Sequence, residues 1–260
     1  MKDKLTIIKV GGKIVEEEAS LKALLADFAG IGGFKLLVHG GGRSATKLAA
    51  DMGVETKMID GRRVTDDEML RIVTMVYGGL VNKNIVAGLQ ALDVDALGMT
   101  GADMNILRSR KRAVKEVDYG WVGDVESVNG EALASLLRAG IVPVIAPLTH
   151  DKQGHLLNTN ADTMAGETAK GLAPYFDVEL VYCFEKPGVL RDENDDASVI
   201  PFIDRALYGR LKEDGVVGGG MLPKLENALD AIDLGVGKVI ITKASEIGNM
   251  TSGTHIVAKI

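Results

Sequence analysis

The sequence predicts an α/β protein, with a mainly parallel central sheet sandwiched by helices. Short, β-rich apolar runs alternate along the chain with stretches of helical periodicity. Two early runs, residues 5–10 and 35–39, end in Gly11-Gly12 and Gly40-Gly41-Gly42, each just before a helical pattern begins. The 260 residues are 46% hydrophobic and 25% charged, enough apolar material for a substantial core in one large domain.

Each element has its own signal. Residues 17–29 read as the first helix, 35–38 as the next strand and 43–52 as the next helix, with Gly53 as its stop. A polar stretch reaches Gly61-Arg62-Arg63-Val64-Thr65-Asp66, where Thr65 or Asp66 can cap a long apolar-periodic segment running to about residue 92. Gly78-Gly79 predicts a break or bend within it. Residues 95–99 read as a strand, and 103–128 as a β-rich excursion with turns near Tyr119-Gly120 and Gly123. A helix over 130–138, a strand over 141–145, a turn at 151–154 and a helix from about 162 to 172 come next. The last third predicts strands near 179–184, 238–242 and 255–259, a turn at Pro187-Gly188, an acidic loop at 192–196 and a helix over 224–234. Pro174 marks a soft boundary between two lobes.

Composition excludes several functions. A net charge of −6 argues against a general nucleic-acid surface. The one dense basic run, Arg108-Ser109-Arg110-Lys111-Arg112, reads as a solvated hairpin edge. Cys183 is the single cysteine, so no intrachain disulfide forms, and its apolar surroundings at 180–184 predict a buried structural thiol. The N-terminus carries no long apolar segment with a cleavage signature, and no apolar run approaches membrane-spanning length, so a soluble cytoplasmic protein is expected. Neither a Gly-x-x-x-x-Gly-Lys-Ser/Thr loop nor a Gly-x-Gly-x-x-Gly fingerprint follows the first strand. His39-Gly40-Gly41-Gly42 could serve a hydrolase oxyanion loop, but the Gly-x-Ser-x-Gly elbow it would need is missing. Four scattered histidines and one cysteine form no metal-ligand pattern.

Phosphoryl transfer fits the remaining residues. Its transition state spreads negative charge over oxygens, so it calls for backbone donors, lysines and an organising carboxylate. Residues without Cβ let N–H groups converge on an anion. Lys9 and Lys224 adjoin glycine-rich segments from opposite halves of the chain, and Asp162 opens a helix after Asn158-Thr159-Asn160. Taken singly, each has a plainer role: a turn, a surface lysine, a helix cap, a solvated arginine. Their joint order is what points to a site.

That order resembles the acetylglutamate kinase branch of the amino acid kinase family over nearly the whole chain. Ile8-Lys9-Val10-Gly11-Gly12 and His39-Gly40-Gly41-Gly42 are similar to its two phosphate- and substrate-facing loops. Gly61-Arg62-Arg63-Val64-Thr65-Asp66 resembles its Asn-Gly-Leu-Arg-Val-Thr segment, and Tyr119-Gly120-Trp121-Val122-Gly123-Asp124-Val125 its Gly-aromatic-Val-Gly-Glu-Val hairpin. Asn158-Thr159-Asn160-Ala161-Asp162 is the most diagnostic block, and Gly219-Gly220-Met221-Leu222-Pro223-Lys224 matches the Gly-Gly-Met-x-x-Lys segment.

The resemblance implies the amino acid kinase fold: a single domain over 1–260, with a substrate lobe over about 1–173 and a nucleotide lobe over about 174–260. It implies ATP-dependent phosphorylation of the γ-carboxylate of an N-acylated L-glutamate, acetyl first, in arginine biosynthesis. Lys9 and Lys224 would stabilise the moving phosphoryl group, Asp162 would organise them, and Gly11 and Gly12 would donate N–H bonds. Gly41, Gly42, Arg63 and Asn158 would hold the acylglutamate. Glu185, Lys186, Pro187, Gly188, Val189, Leu190, Val216, Val217 and Gly218 would line the ATP site, with Mg²⁺ arriving on the nucleotide and no dedicated metal cage. A γ-carboxylate, with a reference pKa of about 4.3, is ionised at pH 7 and needs no general base, in keeping with His39 in a structural role.

Two departures qualify the match. Glu185-Lys186-Pro187-Gly188-Val189-Leu190 stands where relatives carry Asp-Val-x-Gly-Val-Leu, and Met58 stands where some carry a lysine, so a succinyl group stays open beside acetyl. A sister kinase for aminoadipate or carbamate stays open too, as does a non-catalytic sensor on the same fold. Joint retention of Lys9, Asp162 and Lys224 disfavours the sensor. The first strand starts within five residues of Met1, without the N-terminal helix of arginine-inhibited relatives, so a homodimer lacking that control is expected. Its seam would use Met69, Ile72, Val73 and Val76 of the long helix, unless that stripe is ordinary core.

Overall fold

The computed structural model describes residues 2–59, 61–218 and 221–260; Gly219 and Gly220 of the predicted glycine-rich segment lie outside the described residues. An eight-stranded sheet organises the chain. Its strands are β1 (Lys4–Val10), β2 (Phe34–His39), β5 (Ala96–Met99), β8 (Val142–Ile145), β11 (Asp177–Phe184), β12 (Phe202–Ile203), β13 (Lys238–Lys243) and β14 (Thr254–Ile256), in the order β12-β14-β13-β11-β1-β2-β8-β5. All neighbours run parallel except β13 and β14. Strands from both halves of the sequence therefore share one sheet, with β1 and β11 side by side at its centre.

Side-chain alternation along β1 assigns the two faces. Leu5 and Ile7 enter a core built with α6 (Gly130–Arg138), α7 (Ala161–Leu172) and α9 (Met221–Asp233). Ile8 and Val10 enter the opposite core, covered by α2 (Glu18–Ala29), α3 (Gly42–Asp51) and the long central helix. By the same parity Lys9 projects toward α7 and α9, which carry Asp162 and Lys224.

The first predicted helix is α2, and a short α1 (Gly12–Glu16) that was not anticipated precedes it, with Glu17 extended between them. The long helix is capped by Asp66, whose side chain accepts from Met69 N at 2.8 Å. It runs as α4 (Asp67–Val73), a π-helical stretch Thr74–Val81 and α5 (Asn82–Gln90), so Gly78 and Gly79 widen the turn without breaking it. It is 24 residues long, and an 18-residue window of it has a mean hydropathy of 1.3, enough by length and composition alone to cross a membrane, contrary to the expectation that no run reaches that length. Burial accounts for that composition: Met69, Ile72, Val73 and Val76 pack into the protein's own core. The stripe expected at a dimer seam is thus core, which leaves Met75 and Leu80 exposed on the other side.

A second sheet, in the order β10-β9-β6-β7, joins β6 (Leu107–Lys111), β7 (Gly123–Val128), β9 (Leu148–His150) and β10 (Leu156–Asn158). Gly123 begins a strand rather than making a turn; a Cβ there would sit 2.8 Å from Thr159 Oγ1, so close approach selects the glycine. The basic run is half-solvated: Arg110 and Lys111 are exposed, Lys111 Nζ sits 4.0 Å from the centre of the Trp121 ring, and Arg112 pairs with Asp124. A hairpin of β3 (Met58–Ile59) and β4 (Arg62–Arg63) completes this end. Helix α8 (Arg205–Glu213) and strand β12 carried no signal strong enough to be anticipated, α9 starts three residues before the predicted 224, and β14 ends at Ile256 rather than 259.

Gly120 turns the excursion back at φ 69°, and an added Cβ would lie 2.2 Å from the Thr65 carbonyl oxygen. Gly120→Ala should therefore lower unfolding free energy by about 1–3 kcal/mol. Gly140→Ala, at φ 84° with nothing within 4 Å of the added carbon, should cost less, as paired urea titrations would show.

Candidate active site

The carboxyl ends of β1, β2 and β11 meet two glycine turns, and the predicted catalytic residues converge there. Lys9 Nζ lies 2.7 Å from Asp162 Oδ1, and only 6% of Lys9 and 9% of Asp162 is exposed. Asp162 sits in the first turn of α7, where the helix dipole favours a carboxylate, and Asn160 caps that helix by accepting from Thr163 N at 3.0 Å. Lys224, in the first turn of α9, reaches the same place: its Nζ is 4.2 Å from the centre of the Phe184 ring, and Lys9 Nζ is 5.6 Å from that centre. Burial lowers the Lys224 pKa below its ordinary value, Lys9 adds to the lowering, and Asp162 opposes it. Phe184, the last residue of β11, is thus an aromatic floor under both ammonium groups.

The glycines let the two turns come into close contact. A Cβ on Gly12 would lie 3.3 Å from Gly42 N and 3.5 Å from Gly41 N, and one on Gly40 would lie 3.1 Å from Gly12 N. Backbone amides of Gly41 and Gly42 therefore stand against Gly12, an arrangement suited to an anion. Beneath them His39 is fully buried, with Nδ1 at 2.7 Å from Gly40 O and Nε2 at 3.1 Å from Asn82 Nδ2. Burial pulls its pKa down to about 4, partly offset by the Gly40 hydrogen bond and reinforced by the Lys83 charge, so the imidazole is neutral at pH 7.

Arg63 also works on this loop. Its Nη2 donates to Gly42 O and Thr46 Oγ1, both at 2.8 Å, and its Nη1 donates to Thr56 Oγ1 at 3.2 Å. Asn158 donates from Nδ2 to Thr65 Oγ1 at 2.9 Å. Arg63, Asn158, Gly41 and Gly42 line a cleft of about 210 Å³ together with Arg62 and Tyr77. A neighbouring cleft of about 430 Å³ is lined by Gly11, Gly12, Lys13, Phe184 and Glu185, and the two share Gly42, Met58 and Arg63.

The residues expected at the nucleotide fall into two groups. Glu185 lines the larger cleft and is bonded to Lys13 at 2.8 Å, a contact that lowers its pKa. Lys186 turns to Asp196 and the Glu193 carbonyl, at 3.2 and 3.1 Å. Val189 and Val217 are buried in the core, Gly188 packs against Thr254 and Val199, and Leu190 bridges Val199. Pro187 and Val216 are half-buried, and Gly218 is exposed. Among the described residues, no group of three or more His, Cys, Asp or Glu side chains comes together in a way that could hold a metal. Sequence reasoning passed over Phe184, Thr46 and Lys13, and it offered Thr65 as a helix cap, a place Asp66 takes while Thr65 accepts from Asn158. Only Phe184 carried a signal, as an aromatic ending a strand beside the predicted nucleotide loop.

The amino acid kinase family model matches residues 4–243. The chain belongs to the amino acid kinase family. This amino acid kinase is 69% identical to the acetylglutamate kinase of Phocaeicola vulgatus and 68% identical to that of Parabacteroides distasonis, each over 98% of this chain and 99% of the relative. Its fold superposes on the crystal structure of smu.665 from Streptococcus mutans with a TM-score of 0.81 at 29% identity, covering 98% of this chain and 99% of that one.

His39 gives the kinase a pH signature. Its folded pKa of about 4 lies below the ordinary 6.5, so the unfolded chain binds the proton more tightly. The stability it contributes is full above pH 6.5 and is lost as pH falls toward 4. Between pH 7.5 and 5, urea titrations should show the parent losing about 2 kcal/mol more than His39→Gln. Parallel pH profiles would refute this assignment.

Proposed function

We propose that the protein transfers the γ-phosphoryl group of ATP to the γ-carboxylate of N-acetyl-L-glutamate, giving ADP and an acyl phosphate, a step of arginine biosynthesis. The observation that carries this reading is the Lys9–Asp162 pair sharing the Phe184 face with Lys224 at the junction of two glycine turns. High identity to acetylglutamate kinases over the full chain supports it.

In this reading a carboxylate oxygen forms the new O–P bond as the bond to the ADP oxygen breaks, and no proton moves. Lys9 and Lys224 neutralise charge on the equatorial oxygens, while Gly11, Gly12 and Gly41 supply backbone donors. Asp162 holds Lys9 in place. Arg63 and Asn158 bind the acylglutamate in the smaller cleft, and the nucleotide enters over Glu185 and the 186–190 and 216–218 segments. The donor set near the lysines is cationic and amidic, which suits a phosphate chain that brings its own Mg²⁺. The substrate lobe spans about 1–173 and the nucleotide lobe about 174–260. The protein works in the cytoplasm as a homodimer, with exposed Met75, Leu80 and Leu97 at the β5 edge as its seam.

A second acyl group has one specific observation behind it. Arg62 lines the smaller cleft beside Arg63, and burial together with the Arg112 charge lowers its pKa. An acetyl methyl offers such a cation nothing, whereas a succinyl carboxylate does. Hydroxylamine trapping with N-acetyl-, N-succinyl- and unacylated glutamate decides between them. No acyl phosphate from any N-acylated acid would sink the kinase reading. If succinyl is preferred, Arg62→Ala should lower the succinyl-to-acetyl ratio of kcat/KM by about tenfold, the size of one charged contact.

The two lysines should separate in stability but not in activity. Lys9→Met and Lys224→Met should each lower kcat by about 10²–10³. Lys9→Met also leaves Asp162 without its ion-pair partner in a buried place and should cost about 3–5 kcal/mol. Lys224→Met removes a charge that burial already disfavours, so its stability at pH 7 should equal or exceed the parent's. Arg63→Ala should affect both KM for the acid and kcat, because the arginine also anchors Gly42. A near-normal kcat in either folded lysine variant would remove that lysine from the mechanism.

A further inference from the structure

We infer that His39, held by Asn82, is a positioning residue that aims the Gly41 amide at the reacting phosphoryl group; the inference rests on the kinase reading above. The trans peptide between Gly40 and Gly41 is rigid, with its C=O and N–H on opposite sides. His39 Nδ1 binds the Gly40 carbonyl at 2.7 Å and so draws that oxygen into the protein. The Gly41 N–H must then face the other way, toward Gly12 and the cleft, and Gly41 N indeed stands 3.5 Å from the position of a Gly12 Cβ. The Gly40 amide, tied to Val10 O at 3.0 Å, fixes the other side of the turn.

The polar chain behind His39 has one consistent arrangement. Lys83 Nζ donates to Asn82 Oδ1 at 3.2 Å and to the Gly98 carbonyl on the edge strand at 3.0 Å. Asn82 Nδ2 then faces inward and donates to Val144 O at 2.9 Å and to His39 Nε2 at 3.1 Å. Nε2 is therefore an acceptor, the proton sits on Nδ1, and that proton is the one given to Gly40 O. A residue 43 positions away in sequence thus selects the tautomer on which the amide direction depends. Asn82 lies where the π-helical stretch ends, so the register of the long helix delivers its amide to His39.

Side-chain ¹⁵N NMR of the parent tests the tautomer directly and does not depend on which acid is phosphorylated. The expected result is an Nδ1–H imidazole at His39; an Nε2–H imidazole overturns the proposal. Kinetics test the consequence. Asn82→Leu should lower kcat by about tenfold or more while both KM values change by less than about threefold, with the circular dichroism preserved. Asn82→Asp cannot donate to Val144 O, but it accepts from a doubly protonated His39, which keeps its Nδ1–H on Gly40. It should recover at least about fivefold of the kcat lost in Asn82→Leu. Equal losses in the two variants would mean that the tie to Val144, not the imidazole, matters, and an unchanged kcat in Asn82→Leu would overturn the proposal outright. An inactive parent with the expected tautomer would instead count against the kinase reading.

Discussion

The site depends on burying a lysine at the carboxyl end of the central strand. An ammonium group is costly to remove from water, and Lys9 is tolerated because Asp162 meets it at 2.7 Å with its own charge favoured by the start of α7. The pair constrains everything around it. It fixes the height of α7 against β1, and Tyr182 reinforces that packing by donating to the Asp162 carbonyl at 3.2 Å. The same carboxylate draws Lys224 from α9, so one buried negative charge gathers two positive ones over Phe184. The cluster carries a surplus of positive charge that a phosphoryl group would neutralise.

Close backbone contact is the second constraint. The turns after β1 and β2 approach so nearly that a Cβ on Gly12 or Gly40 would press the facing backbone at 3.3 and 3.1 Å. Their amides are brought together by sheet register, in which Lys9 pairs with Val38 and Val10 with His39. Arg63 from the small hairpin and His39 from below hold the second turn by its carbonyls, at Gly42 and Gly40 respectively. Carbonyls are thus occupied by the protein while the neighbouring amides are left facing the cleft. That division is electrostatic: a site for an anion presents donors and retires acceptors.

The long helix links this loop to the edge of the sheet. Its hydropathy arises because one side of it packs into the protein, with Met69, Ile72, Val73 and Val76 in the core. The π-helical stretch shifts the phase of α5, and Asn82, almost wholly buried, satisfies its amide among His39, Val144 and Lys83. A buried polar side chain with every partner in place is rigid, a property the glycine turn lacks by itself.

Local chemistry written in the chain was enough for the α/β class, the glycine turns and the family blocks. The alternation of strand and helix fixes a parallel sheet, and the parity of β1 already puts Lys9 on the face opposite Ile8 and Val10. What the sequence could not yield were features made by residues far apart: Phe184 beneath two lysines, Arg63 spent partly on Gly42, Gly123 chosen by close approach, and the burial of Val189 and Val217. The helical stripe at 69–76 illustrates the reason. An apolar face looks the same in sequence whether it meets the protein's own sheet or another chain, and only the sheet's position decided that it is core. Residue type and spacing determine local conformation and the chemistry on offer; which groups share a buried space is settled by long-range packing, where desolvation and charge pairing select the arrangement.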